Sequence, residues 1–193
     1  IQSTTFKYES SAEMGKLFDL EASGYFYSRL QNPTNDAVSA RIAALEGGTA
    51  AMLTGSGMSA IFFSVFNIVG AGDHLVSSSS IYGGSFNLLS QTMPRQGVST
   101  TFVDTSDIAN IERAITEKTR AVYVETMGNP CSDLTDIDVA AEIAHRHGIM
   151  LVVDNTFATP YLLRPIEHGA DLVVYSATKF LGGHGTSLAG IIA

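Results

Sequence analysis

From residue 50 onward, short apolar runs alternate with segments of helical periodicity, and no other feature of the sequence constrains the fold as strongly. Runs of strand length lie near residues 50–54, 74–78, 99–103, 120–125, 149–154 and 171–175. Helical patterns lie between them, near residues 57–69, 84–93, 107–116, 136–147 and 163–168. This alternation predicts an α/β domain with a mostly parallel sheet and helices on both faces. Ligands of such sheets bind at the carboxyl ends of the strands, so we expect chemistry directly after the apolar runs.

The amino-terminal part of the chain predicts a different organisation. Residues 1–32 show no sustained period and are interpreted as an extended arm with short elements. A helix is expected after Pro33, because apolar residues then recur at helical spacing and Gly47 follows as a stop signal. The recurring apolar residues are Val38, Ile42 and Leu45.

We therefore divide the chain into an arm with its helix, residues 1–48, and a larger domain, residues 49–193. The chain begins at Ile1 and stops inside the apolar run Leu188–Ala193. We expect this run to be a strand of the sheet, and we expect the protein to continue into a further domain.

Composition and charge restrict the class of protein. The net charge is −8 and no cluster of Lys and Arg occurs, which argues against a nucleic-acid partner. No run approaches the roughly 18 consecutive apolar residues that a membrane span requires. The single cysteine, Cys131, excludes an intrachain disulfide and a cysteine-based metal site. We interpret it as a small packed thiol of a cytoplasmic protein.

The glycine-rich segment Thr54–Ala60 joins the first predicted strand to a helix and is typical of an anion site at a helix N-terminus. Gly55, Gly57 and Ala60 also fit the dinucleotide pattern G-x-G-x-x-A. That alternative requires an acid after the second strand, whereas Asp73 precedes it. A dinucleotide-binding or interaction module therefore stays open as the weaker hypothesis.

Two ionisable side chains follow apolar runs at the same predicted edge of the sheet. Asp154 either caps the next turn or pairs with a protonated pyridine nitrogen. Lys179 follows the run at 171–175, with Ser176 and Thr178 before it. A lone lysine is usually a surface residue. Together with the glycine-rich segment, however, the aspartate and the lysine indicate a cofactor site.

The segment Ser176–Lys179, which reads S-A-T-K, resembles the lysine signature of the Cys/Met-metabolism family of pyridoxal-phosphate enzymes. Other family motifs match in order at Tyr27–Arg29, Asn32–Thr34, Ala44–Gly48, Ser56–Met58, Tyr82–Gly84, Asn129–Pro130 and Asp154–Phe157. The resemblance runs from Ile1 to Ala193. It implies a three-layer, aspartate-aminotransferase-like fold (fold type I), whose C-terminal domain we expect to be absent from this chain.

The resemblance also implies pyridoxal 5'-phosphate as the cofactor and gives roles to the matching residues. Lys179 would carry the cofactor as a Schiff base, Asp154 would pair with the pyridinium nitrogen, and Tyr82 would stack on the ring. Asn129 would lie near the phenolic oxygen. The phosphate would be held by Gly57, Met58, Ser176, Thr178 and, from a neighbouring subunit, Tyr27 and Arg29. A homodimer is then the minimal unit, and a homotetramer is expected.

Within this family the sequence is most similar to O-acetylhomoserine sulfhydrylases, which are transferases of methionine biosynthesis, at Tyr82–Asn87 and Gly182–Ser187. The similarity implies γ-replacement on O-acetyl-L-homoserine by sulfide or methanethiol. Methionine gamma-lyases typically have a cysteine two residues after the stacking tyrosine, where this chain has Gly84. Methionine gamma-lyase activity stays open as an alternative, and so does cystathionine synthase or cystathionine lyase activity. For His184 we expect only packing or a backbone hydrogen bond.

Overall fold

The computed structural model describes the whole chain, Ile1–Ala193, and contains one seven-stranded sheet. The strands are β1 (Met52–Thr54), β2 (His74–Ser78), β3 (Ser99–Val103), β4 (Thr119–Glu125), β5 (Met150–Asp154), β6 (Leu172–Ser176) and β7 (Gly190–Ile192). They lie in the order β1-β7-β6-β5-β4-β2-β3. β2 to β6 are parallel to their neighbours, whereas β7 runs antiparallel to both β1 and β6. The expectation of a mostly parallel sheet is confirmed.

Helices cover both faces of the sheet and make three layers. They are α1 (Ser11–Phe18), α2 (Pro33–Glu46), α3 (Gly57–Ile68), α4 (Gly83–Asn87), α5 (Ala109–Ala114), α6 (Ile137–Arg146) and α7 (Thr159–Leu162). Buried residues of α2, α5 and α6 pack on one face, and those of α3 and the segment after α4 pack on the other. No helix combines the length and apolar character that a membrane crossing requires.

The central strands are buried on both sides, which explains their continuous apolar character. In β4, Val122 and Val124 pack into the core beneath α6, while Ala121 and Tyr123 point into the core beneath α3. Successive side chains of a strand point to opposite faces, so Glu125 emerges on the α3 face. By the same alternation Asp154 emerges on that face too, and both carboxylates sit at the carboxyl edge of the sheet.

The predicted strands are confirmed, but two helix predictions need correction. The helix expected at 84–93 ends at Asn87 and continues as a π-helical turn, Leu88–Thr92, and a 3-10 turn, Met93–Gln96. Pro94 lacks the N–H that a regular α-helix would use there. The helix expected at 163–168 is only a 3-10 turn, Pro165–His168, preceded by the short helix α7.

Three local features complete the comparison with the sequence. The run at the end of the chain forms β7, as expected, although Leu188 itself is exposed. The arm contains α1, whose first turn is capped because the Ser10 hydroxyl accepts the Glu13 N–H at 3.2 Å. Cys131 is exposed, so its interpretation as a packed thiol was wrong. It lies in the irregular loop between β4 and α6, where no core element covers it.

Candidate active site

A cavity of ≈ 640 Å³ opens at the carboxyl ends of β4, β5 and β6, beside the N-terminus of α3. It is the point at which the predicted site residues converge. All of them except Tyr27 and Arg29 line the cavity: Gly57, Met58, Tyr82, Asn129, Asp154, Ser176, Thr178 and Lys179. Residues that are far apart in sequence meet here because parallel strands present their carboxyl ends at one edge.

The N-terminus of α3 forms one end of the cavity. The Ser56 hydroxyl accepts the Ser59 N–H at 3.1 Å, while the first N–H groups of the helix, at Gly57 and Met58, have no acceptor within the helix. A Cβ added to Gly57 would lie 2.6 Å from the Ser176 Cβ. Only glycine therefore allows the helix to approach β6 so closely, and the N–H groups that lack an acceptor within the helix fit a phosphate.

Two hydroxyl groups that line the cavity differ in their hydrogen bonding. Ser176 Oγ makes no hydrogen bond within the chain, so it is free to donate to an anion. Thr178 Oγ1 is already engaged, because it donates to the Ala189 carbonyl and accepts the Ala189 N–H, both at 3.2 Å. Thr178 would have to give up its bond to the carbonyl to donate to a phosphate.

Asp154 is a buried carboxylate without a cationic partner. Its Oδ1 accepts the Thr156 N–H at 3.0 Å and the Thr156 hydroxyl at 2.5 Å, and its Oδ2 accepts the Tyr123 hydroxyl at 3.3 Å. Burial raises the pKa of Asp154, against the hydrogen bonds from Thr156 and Tyr123. A cationic ring N–H would offset that cost. The aspartate caps the next turn with one oxygen and leaves the other for a pyridinium, so the site fits pyridoxal phosphate.

Tyr82 and Lys179 lie towards the open side of the cavity. The Tyr82 ring is half exposed and lies over Gly84, where an added Cβ would collide with the ring and sit 3.1 Å from the Met58 Sδ. Lys179 takes part in no ion pair of the chain. His184 Nδ1 lies 2.7 Å from the Gly182 carbonyl, which confirms the expected backbone hydrogen bond.

The arm keeps Tyr27 and Arg29 away from this cavity. Both are exposed, and the Arg29 guanidinium carbon lies 5.0 Å from the centroid of the Tyr27 ring. The arm packs on itself through a bridge between Thr5 and Tyr27. Within one chain these two residues do not reach the site, and their action in a neighbouring subunit stays a prediction.

Sequence reasoning missed a second acid of the cavity, Glu125. It is the last residue of β4 and pairs in register with Asp154 of β5. Its Oε1 accepts the backbone N–H of Tyr82 at 2.8 Å. Burial, reinforced by the charge of Asp154, raises the pKa of Glu125 to about 8. The strand-end rule that selected Asp154 also applies to Glu125 and would have found it.

A polar network on the opposite face of the sheet was also missed. The Tyr175 hydroxyl donates to the fully buried Glu46 of α2, and Asn155 Nδ2 donates to the same hydroxyl at 2.9 Å. Thr126 Oγ1 donates to Asn155 Oδ1 at 2.7 Å. The network ties α2 to the residue that follows Asp154. No sequence signal identifies it, because Glu46 fits the polar face of a helix equally well.

Comparison with known proteins decides between the two classes of function. The family model for Cys/Met-metabolism PLP-dependent enzymes matches residues 1–193, the entire chain. The chain belongs to this family. The dinucleotide alternative is therefore wrong. Its required acid is also misplaced, since Asp73 lies at the amino edge of the sheet, paired with Arg120 at 2.9 Å.

Named relatives of this family carry out related reactions. O-acetyl-L-homoserine sulfhydrylase of Leptospira meyeri is 50% identical over 191 residues, which are 99% of this chain and 43% of that protein. L-methionine gamma-lyase of Treponema denticola is 45% identical over 193 residues, 99% of this chain and 48% of that protein. The chain thus spans about half the length of the relatives it matches.

A solved structure agrees with the fold. A putative O-acetylhomoserine (thiol)-lyase of Campylobacter jejuni superposes with a TM-score of 0.93 at 37% identity, covering 99% of this chain and 47% of that one. That protein carries N'-pyridoxyl-lysine-5'-monophosphate. Fold type I and the pyridoxal-phosphate cofactor, both implied by the sequence resemblance, are confirmed for this family member.

Proposed function

We propose that the complete protein catalyses γ-replacement on O-acetyl-L-homoserine, in which sulfide or methanethiol displaces acetate from Cγ and gives homocysteine or methionine. When bound, pyridoxal phosphate supplies an electron sink for negative charge that develops on the amino acid. Asp154 would keep the pyridine nitrogen protonated, because its Oδ2 has only the Tyr123 hydroxyl as a partner, at 3.3 Å. The N–H groups of Gly57 and Met58, with the Ser176 hydroxyl, would hold the phosphate.

Lys179 has two tasks in this proposal. Its Nζ first holds the cofactor and then, once the substrate amine has taken its place, removes the α-proton of the substrate. Its position on the open side of the cavity, without a carboxylate partner, supports this role. Borohydride reduction and peptide mapping of the complete protein should find the pyridoxyl group on Lys179. A label on Lys7, Lys16 or Lys118 would contradict the assignment.

The observation that favours replacement over elimination is the packing at Gly84. By resemblance, a methionine gamma-lyase has a cysteine at this position. Here the Tyr82 ring occupies the space that any Cβ on Gly84 would need. A cysteine would therefore have to displace the ring, so the arrangement differs from the lyase pattern.

A pair of glycine variants tests whether this packing matters. Gly84→Ala should displace the Tyr82 ring and lower the rate of replacement by about tenfold or more, since misplacement of a group by an ångström is costly in catalysis. Gly83→Ala is the matched control, because its added Cβ would meet nothing within 4 Å. Equal rates in the two variants would remove this argument.

The competing candidate is methionine gamma-lyase, which the 45% identical relative favours. The complete protein should be assayed with O-acetyl-L-homoserine and with methionine, each with and without sulfide. We expect homocysteine and acetate to form from O-acetyl-L-homoserine only when sulfide is present. Release of a 2-oxo acid and ammonia from methionine at a comparable rate would instead identify a lyase.

We also propose that the protein works as a homodimer at least and in the cytoplasm. The arm supports the first point, because Tyr27 and Arg29 are exposed and outside their own chain's cavity. The exposed, unpaired thiol of Cys131 supports a reducing compartment. The expected homotetramer is a further proposal, and light scattering of the complete protein would test it.

A further inference from the structure

Glu125 is a buried acid to which the proposed reaction gives no role. It ends β4, is 5% exposed and lines the same cavity as Asp154. It takes part in none of the ion pairs of the chain. Burial without a cation is costly for a carboxylate. A specific task is therefore needed to explain why an acid stands here.

The contacts of Glu125 lead to Tyr82. Oε1 accepts the Tyr82 backbone N–H at 2.8 Å. The backbone N–H of Asn129 also interacts with this carboxyl and opposes the rise in its pKa. Tyr82 directly precedes α4, a helix of only five residues that has no side-chain cap. The carboxyl of Glu125 thus fixes the backbone at Tyr82, at the edge of the cavity.

The Tyr82 ring depends on this backbone contact. Its phenolic hydroxyl has no hydrogen-bond partner within the chain, and the ring is 50% exposed. Gly84 lies against the ring and makes no polar contact with it. The position of the ring over the cavity therefore follows from the position of the Tyr82 backbone.

We propose that Glu125 is a positioning residue that anchors the Tyr82 backbone, and through it the ring, over the cofactor site. The inference rests on the proposed stacking role of Tyr82. Burial raises the pKa of Glu125 to about 8, which favours the neutral acid. Glutamine, which is also neutral and offers a carbonyl acceptor, should then replace it. Leucine, of similar size, offers no acceptor.

The test uses the complete protein loaded with pyridoxal phosphate. Three variants are compared with the wild type: Glu125→Gln, Glu125→Leu and the control Glu117→Leu, which makes the same change at an exposed glutamate outside the cavity. The readouts are the visible circular dichroism of the bound cofactor, its dissociation constant, and hydrogen exchange of the Tyr82 amide. Pyridoxyl labelling of Lys179 is recorded in parallel.

Glu125→Leu should weaken cofactor binding by about tenfold and reduce the circular dichroism signal, since one hydrogen bond and the ring position are lost. Exchange of the Tyr82 amide should accelerate. Glu125→Gln and Glu117→Leu should stay within about threefold of the wild type. Equal loss in the Gln and Leu variants would overturn the proposal, because the charge or the proton of Glu125 would then be what matters.

A double-mutant cycle separates this proposal from the role of Tyr82 itself. Tyr82→Ala removes the ring and leaves the backbone N–H, so adding Glu125→Leu should change cofactor binding little further. Full additivity would show that Glu125 does not act through the ring. If Tyr82→Ala alone leaves the dichroism unchanged, the stacking role has failed instead. If Glu125→Leu does not fold, hydrogen exchange of the Tyr82 amide in the wild type tests the proposal instead. An amide that is not protected from exchange would refute the anchoring of the Tyr82 backbone by Glu125.

Discussion

The clearest quantitative prediction concerns Glu46, whose side chain is completely buried beneath the sheet. The Tyr175 hydroxyl donates to Oε1, and Oε2 has no hydrogen-bond partner. Burial raises the pKa of Glu46 from 4.5 to about 7, although the nearby Arg164 opposes the shift. In the folded protein the group therefore holds its proton across a pH range in which the unfolded chain releases it.

The sign of the effect follows from this difference in pKa. The folded state binds the proton more tightly, so the contribution is complete below about pH 4.5 and is lost as the pH rises towards 7. Between about pH 5 and pH 8 the two pKa values correspond to a loss of about 2 to 3 kcal/mol in the free energy of unfolding. Glu46→Gln removes the titration and keeps the acceptor for Tyr175.

Urea unfolding of the cofactor-free protein at several pH values measures this contribution. The free energy of unfolding of Glu46→Gln minus that of the wild type should rise by about 2 to 3 kcal/mol from about pH 5 to about pH 8. Any constant cost of the glutamine N–H groups cancels from this change. Glu117→Gln, at an exposed position, is the matched control and should show no such rise. Parallel profiles for the wild type and Glu46→Gln would refute the reasoning.

Three further predictions concern the cofactor site. Gly57→Ala should push α3 away from Ser176 and weaken cofactor binding by about tenfold or more, as measured by equilibrium dialysis; unchanged binding would mean that the close approach is unnecessary. Asp154→Ala should impair exchange of the substrate α-proton, followed by NMR in deuterium oxide, much more than retention of the cofactor. Near-normal exchange would reduce Asp154 to a turn cap. Removing Arg29 should lower cofactor affinity by about one to two powers of ten, since a charge-assisted bond to phosphate is lost. Co-refolded subunits carrying Lys179→Ala and Arg29→Ala should regain activity, and no recovery in verified mixed dimers would place Arg29 in its own chain's site.

The sequence alone determined the layer architecture and most of the site. Strands buried on both faces must be apolar along their whole length, so the runs at β4, β5 and β6 can be recognised without knowledge of their neighbours. A charged residue directly after such a run stands out against it. For this reason the linear order of residues is enough to identify Asp154 and Lys179, and the lysine signature then supplies the family.

Only the tertiary structure placed residues whose role depends on partners distant in sequence. Glu46 differs from a surface glutamate only in what packs around it, and the raised pKa of Glu125 likewise follows from burial, which is a property of the assembled sheet and helices. The close approach of α3 to β6, where a Cβ added to Gly57 would collide with Ser176, likewise exists only in the assembled fold. Local sequence sets periodicity and strand ends, whereas pKa values and close contacts arise from long-range packing. The tertiary fold therefore decided the electrostatics of the site.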